Sequence, residues 1–277
     1  MLAPSDFFDL KGNPFAGLFD DVDYVWDGLR MIPSFIQDFI QPNISHVIQS
    51  GPVLSRTIVL HEDRVYDSGF SIESRASSGE KLKVSMDGQV LSGASVIYAG
   101  VSLMGDAVQI GKGTVIEPGV LIKAPTVVLD NTEVRHGAYI RGNVLVGDRC
   151  IVGHATEMKS AVLLGGSQAG HFAYVGDSIL GRANLGAGTK LANLKIVKSQ
   201  VVLHIKGKVY ETGLRKFGAI LGDGVKTGCN SVTAPGTLLG RDVLVYPNCT
   251  AKGYHPYGTI IKLKQNQIVR QKGRRDG

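Results

Sequence analysis

The sequence predicts an all-β parallel solenoid preceded by a short helical segment. Two observations carry this expectation. Aliphatic residues recur every six positions, at Ile110, Ile116, Ile122, Val128, Val134, Ile140, Val146, Val152 and Met158. The chain also holds 36 glycines against 10 prolines, which suits regular tight turns better than low-complexity sequence. A period of six is neither helical nor the simple alternation of a half-buried strand. Glycine and β-branched residues crowd any helix drawn through the same stretch. Short strands joined by tight turns fit it. Three hexapeptides, about 18 residues, then close one triangular coil, and each coil buries its face against the next.

The frame slips by one at Leu163, returns at Ala169 and Val175, and slips again at Leu180 and Leu185. It resumes as Leu221, Thr227, Thr233, Leu239, Val245 and Ala251. Residues 193–218 between these runs are too many for a turn. Their pattern QVVLHIKGKVYETG reads as a β-hairpin with Lys-Gly at its tip, a loop thrown out from the prism. Such insertions in a solenoid usually carry function. The resulting division is a helical segment over 1–50, an irregular β lead-in over 51–95, the solenoid with its loop over 96–256, and a basic tail over 257–277. Two short helices are expected in the first segment, with Ser5 or Asp20 as N-caps. The stretch GTIIKLKQNQIV suits a strand or a short helix, and RQKGRRDG a mobile end.

Composition bounds the function. Apolar residues are 43% and charged residues 19% of 277, so the chain is expected to bury a sizeable core. No apolar run approaches the roughly 18–20 residues of a membrane helix. The first residues, MLAPSDFFDL, lack the basic and apolar regions of a signal peptide. Cys150, Cys229 and Cys249 are odd in number and without metal-ligand spacing, which suits a reducing, cytoplasmic setting. The net charge of +6 owes much to Lys262, Lys264, Arg270, Lys272, Arg274 and Arg275. That tail admits three readings: a solvated end, a polyphosphate cofactor contact, or nucleic acid. No helix-turn-helix, RNP or zinc-finger pattern accompanies the last.

In a solenoid, residues one coil apart stack at the inter-strand spacing of about 4.8 Å. Arg141 and Lys159 are related in this way. Two stacked cations repel each other, and a phosphate between them relieves the repulsion. The other reading is a pair of solvated surface charges. His136, His154 and His171 fall on one corner. A zinc site of the carbonic-anhydrase kind is one reading of them. Single-file stacking on one chain is poor geometry for a tetrahedral ion, and ordinary turn histidines are the other reading.

The motifs YIRGN, TEMKSA, AGHFAYVGDS, NLGAGT and ANLK, followed by KGKVYETGLRKFGA, carry a resemblance. They resemble the acetyltransferase domain of the bifunctional glucosamine-1-phosphate acetyltransferase/N-acetylglucosamine-1-phosphate uridyltransferases. They are still more similar to archaeal-type sugar-1-phosphate nucleotidyltransferases with a hexapeptide domain. The resemblance covers roughly residues 90–255. It implies a left-handed parallel β-helix and a homotrimer with active sites between neighbouring prisms. It implies His171 as general base and Glu157 as its orienting partner. Arg141 and Lys159 match the family's sugar-phosphate ligands, and Tyr174 and Asn184 its sugar contacts. Asn193, Arg215 and Lys216 match residues on the acetyl-CoA side.

The implied chemistry is transfer of an acetyl group from acetyl-CoA to the amine of glucosamine- or galactosamine-1-phosphate. The amine attacks the thioester directly. The protein supplies a base, for which His is suited, and a backbone N–H for the oxyanion, from a turn such as GAGT. No metal, nucleic acid or membrane enters. Two departures stand out. The Gly-rich GxGTRxxP-type loop of a nucleotidyltransferase does not occur in this sequence, so uridyl transfer by this chain is not expected. Leu194 stands where the bacterial bifunctional enzymes carry Tyr. The rival readings are a non-catalytic sugar-nucleotide-binding scaffold and a zinc-dependent carbonic-anhydrase-like enzyme.

Overall fold

The computed structural model describes residues 2–48, 51–62, 64–73 and 82–270. The aliphatic residues of the hexapeptide frame point inward and form one continuous core, from Ile110 and Ile116 through Met158 to Val245 and Ala251. Around them the chain winds as a parallel solenoid with three flat faces. The first face runs from Ser95–Ile97 to Ile260–Ile261 and includes Ile151–His154, Gln168–His171 and Asn184–Leu185. The second runs from Ser102–Met104 to Thr250–Ala251 and includes Tyr139–Ile140, Glu157–Lys159, Tyr174–Gly176 and Lys190–Leu191. The third runs from Val108–Ile110 to Tyr254–His255 and includes Val144–Val146, Ala161–Leu163, Ile179–Leu180 and Ala219–Leu221.

The frame slips change the coil length without breaking the ladder. Ile140 pairs with Met158, Met158 with Val175, and Val175 with Leu191, so successive rises span 18, 17 and 16 residues. Corners absorb the missing residues, because the paired strands fix the inward side chains. Inside one corner Thr114, Thr132 and Ser167 donate their hydroxyls to backbone carbonyls of the next coil. Cys150 occupies the same column, and burial pushes its thiol up to about 12. It is therefore an inert packing group.

The third face differs from the other two. Its strands are buried on both sides, whereas strands of the second face alternate between buried and partly exposed residues. The outward residues Val127, Leu145, Val162, Ile179, Ile220 and Leu238 pack against Phe7, Phe8, Trp26, Ile32 and Ile36 of the N-terminal segment. That segment holds helices at Pro4–Phe7 and Gly28–Phe39, and it covers the face as a second layer. Neither expected cap is used: Ala3 and Asp27 precede the two helices, Ser5 lies inside the first, and Asp20 follows a 3-10 turn.

The lead-in is more regular than its sequence suggests. Ile58–His61 pairs antiparallel with both Arg64–Tyr66 and Ser95–Ile97, which closes the first end of the first face. Phe70–Glu73, Lys83–Met86 and Gln89–Val90 form a small antiparallel sheet.

The hairpin is present, with strands Val202–Ile205 and Lys208–Glu211 and Lys206-Gly207 at the tip. It is not thrown out from the prism. Val201, Leu203, Ile205 and Phe217 are buried in the same layer as the N-terminal segment, and the Arg30 guanidinium donates to the Thr212 carbonyl. Burying that apolar side outweighs any gain from leaving the loop in water. At the C-terminus Ile260–Ile261 is a strand, and residues 262–270 have no regular structure. Lys272, Arg274, Arg275 and most of RQKGRRDG lie outside the described residues.

The covered face makes a stability prediction. Ile36→Ala removes a fully buried contact between the helix and the third face. It should cost about 2–5 kcal/mol in urea unfolding. Met31→Ala, on the same helix but 38% exposed, should change stability by less than about 0.5 kcal/mol. Equal midpoints for the two variants would show that the helix does not hold to the prism through this face.

Candidate active site on two corners of the prism

The ladder lines up the polar residues of the second face. Tyr139, Glu157 and Tyr174 are register partners, and Lys190 follows on Tyr174. Beside them, Arg141 and Lys159 continue the same two strands, and Lys159 pairs with Gly176. The expected stack of cations is thus present, but the cations are not left to repel each other. The Arg141 guanidinium donates to Glu157 Oε1 at 2.7 Å, and Lys159 Nζ lies 3.9 Å from Asp177 Oδ2. Each cation has a carboxylate on the adjacent strand, which sequence spacing did not reveal.

Electrostatics separates the two. Its hydrogen bond to Glu157 raises the Arg141 guanidinium further above its ordinary value. Burial holds the Lys159 ammonium below the ordinary lysine value; Asp177 opposes this, and Lys216 and Arg141 add to the lowering. Burial also pushes the Tyr174 phenol up, with the Asp177 and Glu157 charges adding to it and Asn193 opposing. This corner is a half-buried mixture of cations, carboxylates and a phenol.

Loop closure brings in the remaining groups. Leu194 and Lys216 form an antiparallel bridge, and Phe217 N–H donates to the Asn193 carbonyl at 2.9 Å. The two ends of the 193–218 insertion are thereby pinned together, with Lys216 beside Lys159. The Asn193 side chain donates to Asp177. Gly176 makes room for this meeting: a Cβ there would lie 2.5 Å from the Tyr174 hydroxyl and 2.9 Å from Asn193 Nδ2. Asp177, Gly176 and Tyr139 were not assigned roles from the sequence. Their signal lay in the motifs YIRGN and YVGDS, at positions two or three residues from those that were.

His171 sits on the preceding corner. It is the last residue of Gln168–His171 and is exposed, and Phe172 makes the turn at φ 53°. His154 is its register partner. The rings of His136 and His154 stack at 5.6 Å and 9°, and each Nδ1 lies against a carbonyl of the preceding coil, at 2.6 and 2.8 Å. The third place in this ring stack is taken by Phe172, edge-on to His154 at 5.1 Å. The His171 ring stands outside it, with no hydrogen bond among the described residues. The three histidines therefore do not share one point.

Glu157, expected to orient His171, instead holds Arg141. The reason is geometric. Glu157 opens a strand of the second face and projects with Tyr139 and Tyr174, whereas His171 closes a strand of the first. Asn184 is exposed on the first face, beside Gln168. Arg215 is exposed at the end of the loop, next to Lys216. Arg141, Lys159, Tyr174, Asn193 and Lys216 are thus gathered on one corner, and His171 and Asn184 lie on the neighbouring face.

The coupling of these charges is testable directly. Lys216→Met should raise the Lys159 pKa, because it removes a repelling neighbour, and Asp177→Asn should lower it. Carbon-13 chemical shifts of the labelled lysine side chain against pH read both. Movement in the same direction in the two variants would contradict the arrangement.

Comparison with known proteins is consistent with this architecture. A bifunctional sugar-1-phosphate nucleotidylyltransferase/acetyltransferase of Sulfurisphaera tokodaii is 32% identical over 167 residues, 53% of this chain and 42% of its own. A bifunctional protein GlmU of Methanococcus maripaludis is 37% identical over 173 residues, 62% of this chain and 42% of its own. The chain thus spans less than half the length of these curated relatives. Among solved structures, PerB of Caulobacter crescentus, in complex with CoA and GDP-perosamine, is 20% identical over 57% of this chain and 54% of its own, with a TM-score of 0.21. Residues 124–268, more than half of the chain, match the model of the GMPPB C-terminal domain, and the chain belongs to that family.

Proposed function

We propose that the protein transfers an acetyl group from acetyl-CoA to the amine of an amino-sugar phosphate. The observation that carries this is the corner where Arg141, Lys159 and Lys216 meet Tyr174 and Asn193, one corner away from the exposed His171 ring. The printed name of the Sulfurisphaera tokodaii relative, which pairs sugar-1-phosphate nucleotidylyl transfer with acetyl transfer, supports the same reading.

In this reading the sugar phosphate enters between Arg141 and Lys159. The Arg141–Glu157 pair is 40% and 35% exposed, so it contributes about 0–1 kcal/mol. Charge-assisted bonds to a phosphate contribute about 1.5–3 kcal/mol each, so the ligand outcompetes the resident carboxylate. Tyr174 and Asn184 contact the sugar. Acetyl-CoA lies along Asn193, Arg215 and Lys216. His171 removes the proton as the amine attacks the thioester carbon; the C–N bond forms, the C–S bond breaks, and His171 returns the proton to the departing thiolate, giving free CoA. Glu157 holds Arg141 in place until the phosphate displaces it. The sugar and acetyl-CoA sites are completed between copies of the chain, in a homotrimer. The reading requires no metal, nucleic acid or membrane, and the setting is cytoplasmic.

A thiol-release assay with glucosamine 1-phosphate and acetyl-CoA tests the reading, and galactosamine 1-phosphate sets the sugar preference. His171→Ala should lower kcat by about 10²–10⁴-fold with the fold intact. Near wild-type turnover in that variant, or no turnover by wild type on either sugar, would sink the catalytic assignment. Lys159→Ala should raise KM for the phosphorylated sugar roughly 10- to 150-fold and leave KM for acetyl-CoA nearly unchanged. Equal changes in the two constants would refute the phosphate assignment.

A further inference from the structure

The corner between the third and first faces carries neither the stacked histidines nor the cationic cluster described above. It borders a cleft of about 350 Å³ between the corner and the N-terminal segment. Lys11, Arg149 and Arg182 line it, from three separate parts of the chain. Among the described residues, none of their side chains makes a hydrogen bond or an ion pair. Asp9, Asp148 and Asp223 line the same cleft, and their carboxylates accept backbone N–H groups rather than pairing with these cations. Asp223 accepts from Arg182 N–H at 2.8 Å and Asp9 N–H at 2.7 Å, Asp9 from Lys11 N–H at 3.2 Å, and Asp148 from Asp130 N–H at 3.0 Å. Three cations thus face one cleft without a partner.

A second observation points the same way. Arg149 has φ 55°, in the left-handed region. The corresponding corners of other coils carry Gly113, Asn131, Gly224 and Asp242, at φ 66°, 55°, 76° and 58°. Those residue types suit that conformation, and an arginine does not. The coil ladder holds the residue in that region, as it holds Ala155 and Phe172, and the Arg149 side chain has no partner that would account for an arginine there. The glycine floor fits as well. Gly166 lies under the Arg182 stem, where a Cβ would come within 3.4 Å, and Gly165 has φ 134°.

We propose that this cleft is a second ligand site, and that it takes a sugar phosphate. The phosphate sits among Lys11, Arg149 and Arg182, which match it in charge and number. The second oxygens of Asp9 and Asp148 accept sugar hydroxyls. No aromatic side chain lines the cleft, so it offers no platform for a nucleobase. The N-terminal segment supplies Lys11 and Asp9, so the layer that covers the third face also builds one wall of a site. This inference does not rest on the acetyl-transfer reading.

The test uses the full chain carrying Arg141→Ala and Lys159→Ala, so that the other phosphate position is disabled. Glucose 1-phosphate, inorganic phosphate and glucose are titrated by calorimetry. Glucose 1-phosphate should bind, and more tightly than either of the others. Adding Arg149→Ala and Arg182→Ala should weaken it by about a hundredfold or more, the loss of two charge-assisted contacts at about tenfold or more each. Lys11→Ala, on a loop outside the ladder, provides the same readout without touching a corner of the prism. Absence of binding, or binding unchanged in both sets of variants, would overturn the site. Inorganic phosphate binding as tightly as glucose 1-phosphate would overturn the sugar assignment.

Discussion

The parallel ladder between successive coils is the constraint on which everything else depends. Each strand is only two to four residues long, so no strand has independent stability. Stability comes from stacking coil on coil, with every inward aliphatic residue in contact with those above and below. The same ladder turns a one-dimensional sequence into columns of side chains. Tyr139, Glu157 and Tyr174 stand in one column, Arg141 and Lys159 in the next, and His136 and His154, followed by Phe172, in a third. Function on such a fold is a matter of which columns face one another across a corner.

The three corners are chemically distinct. One holds an aromatic column that ends in Phe172 and leaves His171 outside it. One holds the half-buried charges around Lys159 and the closed ends of the 193–218 insertion. The third holds cations without partners beneath the N-terminal segment. The faces divide the work as well. The third face is sealed by about 40 N-terminal residues and the hairpin, so copies of the chain meet through the other two in the trimer reading. The histidine corner and the charged corner both border the second face, where a neighbouring prism would complete them.

Much of this was legible in the sequence. The inward frame, its slips, and the hairpin tip at Lys206-Gly207 follow from period and turn chemistry alone. The stacking of Arg141 over Lys159 also follows, because a fixed coil length converts spacing into height. What was not legible depends on lateral contacts. Glu157 is two residues before Lys159 in sequence, but one coil away from Arg141 in space, and only the register shows that it reaches Arg141 first. Asp177 reaches Lys159 across the same interval. The burial of the third face left a trace that periodicity masks: TVV, VLV and AVL are apolar at the outward position too. The N-terminal residues that cover them are distant in the chain, beyond any local pattern.

In the proposed function, a sugar phosphate displaces resident carboxylates on the charged corner. A crystal structure with an amino-sugar 1-phosphate and CoA tests it most directly. The account predicts phosphate oxygens within hydrogen-bond distance of both the Arg141 guanidinium and Lys159 Nζ, with Glu157 moved off Arg141. A bound sugar phosphate elsewhere, with the Arg141–Glu157 and Lys159–Asp177 pairs unchanged, would contradict it.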